Sequence, residues 1–484
     1  MNQIDLKLYT NKIMQTTNTP KEIFKAYDIR GIVGKTLTPE IVESIGHALG
    51  SEAKQRLQTE ICIGYDGRLS GPELAEALST GIRKAGVNVV NLGMVATPMV
   101  YFAAHHLKNN CGVMVTGSHN PPDYNGLKMV LAGETLSNDS IQSLRHRIEY
   151  NLFTYGDGLE RSYDIAPNYI AEIKADINLT RPLQITVDCG NGVAGAFAKT
   201  LYNAIGCRVD ELFCEVDGHF PNHHPDPSVP ENLNDLINAL KTTRSEIGLA
   251  FDGDGDRLGV VTKEGNIIYP DRQMLLFAQD VLSRNTGATV IFDVKSTRNL
   301  SPWIRELGGN PIMWKTGHSL VKAKIKETNA ALAGEMSGHI FFNDKDSNGK
   351  KRWYGFDDGL YAGTRLLEIL SNFTNPSEIL NSLPDSTSTP EQHIHMQEGE
   401  PHALIKKLQA QSKVSTKFAG AVEIITIDGL RVEYADGFGL MRASNTTPVI
   451  VLRFEADSEA ALKRIQAQFR DVIWDAAPHV ALPF

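Results

Sequence analysis

Two stretches of this chain combine residue types that do chemistry together. The first is Thr116-Gly-Ser-His-Asn-Pro-Pro122, which follows the apolar run Gly112–Val115. It is therefore expected just past the end of a strand, where ligand sites of α/β sheets lie. Gly117 permits a tight turn that would present the Ser118 hydroxyl, with His119 and Lys128 close by in sequence. A serine hydroxyl is a weak nucleophile until a base or a phosphoryl donor meets it in good geometry. The same residues are ordinary turn formers, so this stretch alone leaves both readings open. The second is Asp252-Gly-Asp-Gly-Asp-Arg257, after the apolar run Ile247–Phe251. In an extended loop Asp252, Asp254 and Asp256 project to one side. Carboxylates this close repel unless a cation sits among them, and hard oxygen donors suit Mg²⁺ or Ca²⁺. An EF-hand starting at Asp252 fails, because its sixth residue is Arg257 and its twelfth Lys263. An acidic surface turn is the plain alternative.

Weaker candidates surround these. In Gly334-Glu-Met-Ser-Gly-His339, Glu335 and Ser337 have the spacing that places both on one side of an extended segment. A carboxylate beside a hydroxyl can grip neighbouring hydroxyls of a sugar, and His339 can act as acid or base near neutral pH. A polar strand edge explains the motif equally well. Arg442-Ala-Ser-Asn-Thr-Thr-Pro448 offers a guanidinium, hydroxyls and an amide; Arg suits phosphate through its planar fork of donors, although a simple turn accounts for the stretch. Tyr27-Asp-Ile-Arg30, Lys295 and Lys315-Thr-Gly-His-Ser319 each put a basic side chain near an expected strand end.

The elements that must position these residues repeat. A short apolar run ends in Asp, a helical segment follows, then a Gly-containing turn and another apolar run. This occurs at Ile61–Asp66 with a helix near 72–85, at Ile185–Asp188 with a helix near 192–205, and at Thr289–Asp293 with a helix near 297–307. Each reads as strand, helix, strand, and such units build α/β sheets. The last part differs: strands expected at Val422–Asp428, Leu430–Tyr434, Gly439–Arg442 and Val449–Ala456 precede a helix over Ser458–Asp475, with Ala461, Ile465, Phe469 and Ile473 on one face. A linker is expected around 372–395, rich in Ser, Thr, Asn and Pro, so the last domain would be loosely attached. The expected fold class is α/β: three similar mixed α/β domains plus a smaller α+β C-terminal domain around a central cleft. The expected boundaries are a flexible extension over 1–20, then 21–163, 164–266, 267–378 and 379–484.

Composition sets outer limits. With 48 basic and 57 acidic residues the 484-residue chain is mildly acidic, which gives no global attraction to nucleic acid or anionic membrane. No stretch approaches the roughly 20 apolar residues of a membrane span. The opening residues lack the apolar core of a secretion signal. Five scattered cysteines, none in Cys-x-x-Cys spacing, suit free thiols in a reducing cytoplasm.

Taken in order, the four motifs resemble the α-D-phosphohexomutase superfamily, and more narrowly its bacterial bifunctional phosphomannomutase/phosphoglucomutase branch, from about Phe24 to Phe454. The resemblance implies four domains around a cleft and reversible interconversion of hexose 1-phosphate and hexose 6-phosphate, of mannose and/or glucose. It implies that Ser118 is the phosphoserine and that Asp252, Asp254 and Asp256 hold Mg²⁺, the Ser118 phosphate completing the site. Arg30, Lys128 and His339 match residues for proton transfer and stabilisation. Glu335 and Ser337 match contacts to the sugar 3- and 4-hydroxyls, and Arg442, Ser444, Asn445 and Thr446 the site of the distal phosphate. Tyr27, His119, Arg257, Lys295 and His318 match other residues lining the cleft. A hexose 1,6-bisphosphate is implied as intermediate and activator, with small sugar phosphates as partners of a monomer. Met336, where the glucosamine-phosphate subfamily usually has Gln, and Thr116-Gly117 favour mannose or glucose. Rival readings are a phosphoglucosamine mutase, a metal-dependent sugar phosphatase, and a non-catalytic sensor, which would be expected to have lost Ser118 or an Asp. A Ser/His hydrolase is disfavoured, because neighbours on an extended strand or turn generally point apart and no Gly-x-Ser-x-Gly elbow is present.

Overall fold

A computed structural model describes residues 19–397, 399–412, 417–445, 447–478 and 480–484. Most of the expected extension over 1–20, and Thr446 in the phosphate motif, lie outside the described residues. Four sheets are present among the described residues. The three strand–helix–strand repeats each supply a parallel pair: Glu60–Tyr65 with Asn88–Met94, Gln184–Asp188 with Arg208–Leu212, and Thr289–Asp293 with Asn310–Trp314. On the other side of the first strand of each pair lies one more parallel strand: Gly112–Val115, Ile247–Phe251 or Leu332–Gly334. The chain then reverses into an antiparallel neighbour: Tyr124–Leu131, Leu258–Thr262 or Ile340–Phe342.

The serine, aspartate and glutamate motifs each occupy that reversal. They are one topological position used three times, at the carboxyl ends of buried parallel strands where ligands bind in α/β sheets. In the first sheet the strand Ile29–Ile32 adds to the far edge, with Arg30 opposite Gly126. Gly126 and Lys128 lie two residues apart on the same strand, so Lys128 shares the face onto which Arg30 projects.

A continuous apolar core joins the first three sheets, running through Val100, Phe102, Tyr169, Val187, Phe251, Phe277, Trp353 and Leu360. Phe102, on the helix Thr97–His106, stacks on Trp353 with ring centroids 5.9 Å apart, and Trp353 stacks on Tyr361 at 4.1 Å. The fourth sheet is antiparallel and packs its own core of Leu430, Val432, Leu452 and Phe454 against Ile465 and Phe469. Its final helix is Glu459–Ala476, capped by Ser458 accepting from the Ala461 N–H.

The linker expected over 372–395 is ordered structure instead. It contains the helix Pro376–Asn381 and the strands Thr387–Ser388 and Gln392–His395, both paired with Val449–Ala456. The polar composition misled because the anchoring positions are few: Pro376, Ser377, Leu380, Leu383 and Ile394 are the buried ones. Nor is the last domain loosely attached. Arg453 donates to Asp271 at 2.9 Å, Thr297 to Glu455 at 2.7 Å, and Arg431 to the carbonyls of Val294 and Ser296 at 2.6 and 2.7 Å, all buried.

The shared core yields a stability contrast. Trp353 is 1% exposed and Trp474 45%. Trp353→Ala is expected to cost about 3–5 kcal/mol through lost burial and a cavity, whereas Trp474→Ala should stay within about 0.5 kcal/mol. Urea denaturation of the two variants beside the parent checks the difference.

Candidate active site

The serine loop is built on a buried ion pair. Asp66 directly follows the strand Glu60–Tyr65 and accepts from the Thr116 hydroxyl at 2.7 Å and the Gly117 N–H at 3.2 Å. Arg68, paired with Asp66 at 3.3 Å, donates to the carbonyls of Ser118, Asn120, Pro121 and Tyr124 at 2.6–3.0 Å. Gly117 is required for a reason other than turn freedom. A Cβ there would sit 2.3 Å from the Arg68 guanidinium carbon. The left-handed residue is Ser118 itself, at φ 51°, a conformation uncommon outside glycine and frequent at functional sites.

That turn also corrects an expectation. Because Ser118 is left-handed and not extended, its side chain and that of His119 do not diverge: Ser118 Oγ lies 3.3 Å from His119 Nδ1. Burial, followed by the charges of Arg257, Arg30 and Lys128, holds His119 well below the ordinary imidazole range, so the ring is neutral.

The serine loop and the aspartate loop meet directly. Ser118 Oγ donates to Asp252 Oδ2 at 3.1 Å. Gly253 has no room for a side chain, since a Cβ would lie 2.4 Å from the Ser118 carbonyl oxygen. Asp252 Oδ1 accepts from the N–H groups of Asp256 and Arg257, tying the loop into a tight turn. Asp252, Asp254 and Asp256 are all 0% exposed, with one oxygen from each within 4.8 Å of the others. Lys128 Nζ donates to Asp254 at 2.7 Å and Asp256 at 2.5 Å, and the Thr97 hydroxyl donates to Asp254 at 2.5 Å. Burial pushes each carboxyl up. Lys128 and Thr97 reverse this at Asp254, which falls below the carboxylate range, while Asp252 and Asp256 remain raised by burial and by the charge of Asp254. Asp254 Oδ1 and Asp256 Oδ1 are buried without a hydrogen-bond partner. Orphaned oxygens facing a carboxylate cluster are the donor set of a hard divalent cation, so the residues fit a metal.

Arg257 carries the site onward to the glutamate loop. Its Nε donates to His339 Nε2 at 3.1 Å and lies 3.6 Å from Asp252, and the Leu258 N–H donates to the Gly338 carbonyl at 3.1 Å. With Nε2 accepting, the His339 ring proton belongs on Nδ1, which faces Asp357 at 3.1 Å and Asp256 at 3.4 Å. Glu335 accepts from the Gly317 N–H at 2.5 Å and has one oxygen buried without a partner. Burial raises its pKa to about 7. Asp293, the Asp of the third repeat, braces this region as Asp66 braces the first. It accepts from the Met336 N–H, the Ser296 hydroxyl and the Thr316 hydroxyl.

The remaining candidates divide. His318 is buried against Tyr27 (ring centroids 5.5 Å) and His339 (5.6 Å). Arg30 pairs with Asp28 at 2.6 Å and also holds Asn120. Lys295 is paired with Glu391 at 2.5 Å and Arg442 with Asp428 at 3.0 Å. Asp428 also accepts from the Thr316 N–H, which joins the fourth sheet to the third. Ser337, Ser444 and Asn445 are half-buried, and Ser444 accepts from the Thr447 N–H and hydroxyl.

Sequence reasoning missed Arg68, Thr97 and Asp357. Asp357 is wholly buried, bonded to Lys322 at 2.8 Å, and within 3.6 Å of His318. The available signal was the doublet Asp357-Asp358 after Gly355-Phe356, because Asp358 caps the helix Gly359–Leu370 and leaves Asp357 directed elsewhere.

Family models for phosphoglucomutase/phosphomannomutase match in order: α/β/α domain I over residues 21–154, domain II over 167–265, domain III over 269–387, and the C-terminal domain over 394–472. The chain is 60% identical to a phosphoglucomutase of Neisseria meningitidis, over 96% of this chain and 99% of the relative. It is 54% identical to a phosphomannomutase/phosphoglucomutase of Pseudomonas aeruginosa, over 96% and 98%. A crystal structure of a phosphoglucomutase/phosphomannomutase family protein from Burkholderia thailandensis superimposes with a TM-score of 0.90 at 58% identity, covering 96% of this chain and all of that one. With four domain models matched in order and relatives aligned over nearly the whole length, the chain belongs to the phosphoglucomutase/phosphomannomutase family.

Proposed function

We propose that the protein interconverts the 1- and 6-phosphates of glucose and/or mannose through a phosphorylated Ser118, with a hexose 1,6-bisphosphate as intermediate and activator. The observation that carries the reading is the placement of Ser118 Oγ 3.1 Å from Asp252 at the edge of a buried carboxylate triad. The relatives' names supply the sugar class.

Asp252, Asp254 and Asp256 would hold Mg²⁺, which when bound neutralises charge on the transferring group. The chain's own residues do the rest. Phosphoryl transfer depends on positioning and charge stabilisation more than on covalent machinery. The Asp66–Arg68 brace fixes the serine loop. Arg30 and Lys128, on one face of neighbouring strands, and Arg257 supply positive charge around the phosphoryl group, and His339 holds a proton at Nδ1 between two carboxylates. In the forward half-reaction the Ser118 phosphate passes to the free sugar hydroxyl. After the bisphosphate turns over, its other phosphate returns to Ser118. Glu335 and Ser337 grip the central hydroxyls in both orientations, and Arg442, Ser444, Asn445 and Thr446 hold whichever phosphate is not reacting. His119, His318, Tyr27 and Lys295 line the space between. The proposal includes action as a monomer and, with five cysteines that are all free, a reducing cytoplasm as its setting.

Phosphorus NMR tests the activity. Protein, Mg²⁺ and a trace of glucose 1,6-bisphosphate are given glucose 1-phosphate, mannose 1-phosphate or glucosamine 1-phosphate in separate tubes. Growth of a 6-phosphate signal from glucose or mannose without free phosphate is expected. Free phosphate alone would mean a sugar phosphatase, and conversion of the glucosamine ester only would mean a phosphoglucosamine mutase.

Ser118→Ala is expected to lose nearly all mutase activity with an unchanged circular dichroism spectrum, and Asp254→Asn to raise the Mg²⁺ concentration needed for half-maximal rate. Full activity in either variant would contradict the assigned role. Glu335 titrates near 7, so its acceptor form is lost as pH falls through about 7. The KM of the parent should therefore rise on the acid side relative to Glu335→Gln, whose KM is high throughout. The ratio of the two pH profiles removes the titration of the substrate phosphate, and a flat ratio would refute the role.

A further inference from the structure

The strands Gln184–Asp188 and Arg208–Leu212 run parallel and in register, Asp188 opposite Leu212. Just beyond their ends lie Cys189, buried, and Cys214, half-buried, with Sγ atoms 3.4 Å apart. Neither takes part in the proposed reaction. We propose that Cys189 and Cys214 are a peroxide-responsive thiol pair whose closure into a disulfide turns down the mutase by shifting the aspartate loop.

The coupling is visible in the backbone. Cys189 opens a tight turn in which its carbonyl accepts from the Gly192 N–H at 2.7 Å, and the next residue, Val193, donates its N–H to the Gly253 carbonyl at 3.1 Å. Gly253 lies between Asp252 and Asp254. On the other side Gly195 is pressed onto Cys214, where a Cβ would lie 2.1 Å from the Cys214 oxygen. The two cysteines thus border the turn that backs the aspartate loop. Drawing the sulfurs from 3.4 Å to the bonded distance of about 2.0 Å pulls on that turn.

The chemistry is ordered by exposure. The Cys214 contact and burial hold the Cys189 thiol well above the usual range, so the more open Cys214 reacts first. Its thiolate attacks one oxygen of hydrogen peroxide, the O–O bond breaks, and hydroxide departs to be protonated to water, leaving a sulfenic acid. The Cys189 sulfur then attacks the Cys214 sulfur, the S–O bond breaks, and the Cys189 proton leaves with that oxygen as a second water. Two thiols and one peroxide give one disulfide and two waters, two electrons passing from sulfur to oxygen.

The rate effect rests on the mutase reading; the cross-link does not. The reduced full-length protein is treated with hydrogen peroxide, digested without reductant and examined by mass spectrometry, with activity followed in parallel. Expected are a linked pair of peptides carrying Cys189 and Cys214, lighter by two hydrogens than the separate thiols, and a rate lower by on the order of tenfold or more, as for an ångström-scale displacement near reacting groups. Dithiothreitol should restore both. Cys214→Ser should start at the parent rate and keep it under peroxide, while Cys62→Ser should stay sensitive. Absence of the link, a link without loss of rate, or equal sensitivity of Cys214→Ser would overturn the proposal. Mg²⁺ binding by calorimetry, expected to weaken on oxidation, gives a readout without turnover, so inactivity before peroxide would count against the mutase reading alone.

Discussion

Three carboxylates withdrawn from water on one short turn must be neutralised, and much of this structure serves that constraint. Two unit charges 4 Å apart repel by about 4 kcal/mol at the effective dielectric of a protein, too much for a marginally stable fold to leave uncompensated. Lys128, reaching across from the first sheet, places its ammonium on Asp254 and Asp256, and Arg257 lies beside Asp252. The same compensation brings the first two domains together, because one supplies the anions and the other the cation. A bound divalent ion would add charge to a site whose buried, unpartnered oxygens already face it.

The remaining architecture repeats one solution. In each of three sheets a buried parallel strand reverses into an antiparallel neighbour, and a functional loop occupies the reversal. In two of them the Asp at the end of the adjoining strand braces the neighbouring loop: Asp66 through Thr116 and Gly117, Asp293 through Met336 and Thr316. Asp188 does a related job, accepting from the Gly190 N–H and contacting His223 at 3.1 Å. The apolar core shared by these sheets then fixes the three loops relative to one another, as a site that works by positioning requires. The fourth sheet joins through buried ion pairs and hydrogen bonds at Asp271, Glu455 and Arg431, which depend on geometry more strictly than an apolar contact does.

The repeats, the antiparallel last sheet and the main motifs were legible in the sequence because they rest on local rules. Apolar runs of strand length, glycine at turns and alternation of Asp with Gly are short-range signals. Contributions that depend on a distant partner were not legible. Arg68 looks like a surface arginine until the serine loop folds over it. The stretch over 372–395 reads as a linker until Leu380, Leu383 and Ile394 find their pockets. Ser118 and His119 read as diverging neighbours until the left-handed backbone at Ser118 brings them together.

By itself the sequence determined which groups are available, and that serine, carboxylates and arginine stand at strand ends in an order matching a family of sugar-phosphate mutases. Only the tertiary structure decided which of them meet. It put Lys128 on the triad, handed the His339 proton to Nδ1, raised Glu335 to near neutrality and set Cys189 against Cys214. The physical reason is that electrostatic and hydrogen-bonding effects depend on distance and burial, and both are fixed by contacts between residues far apart in the chain.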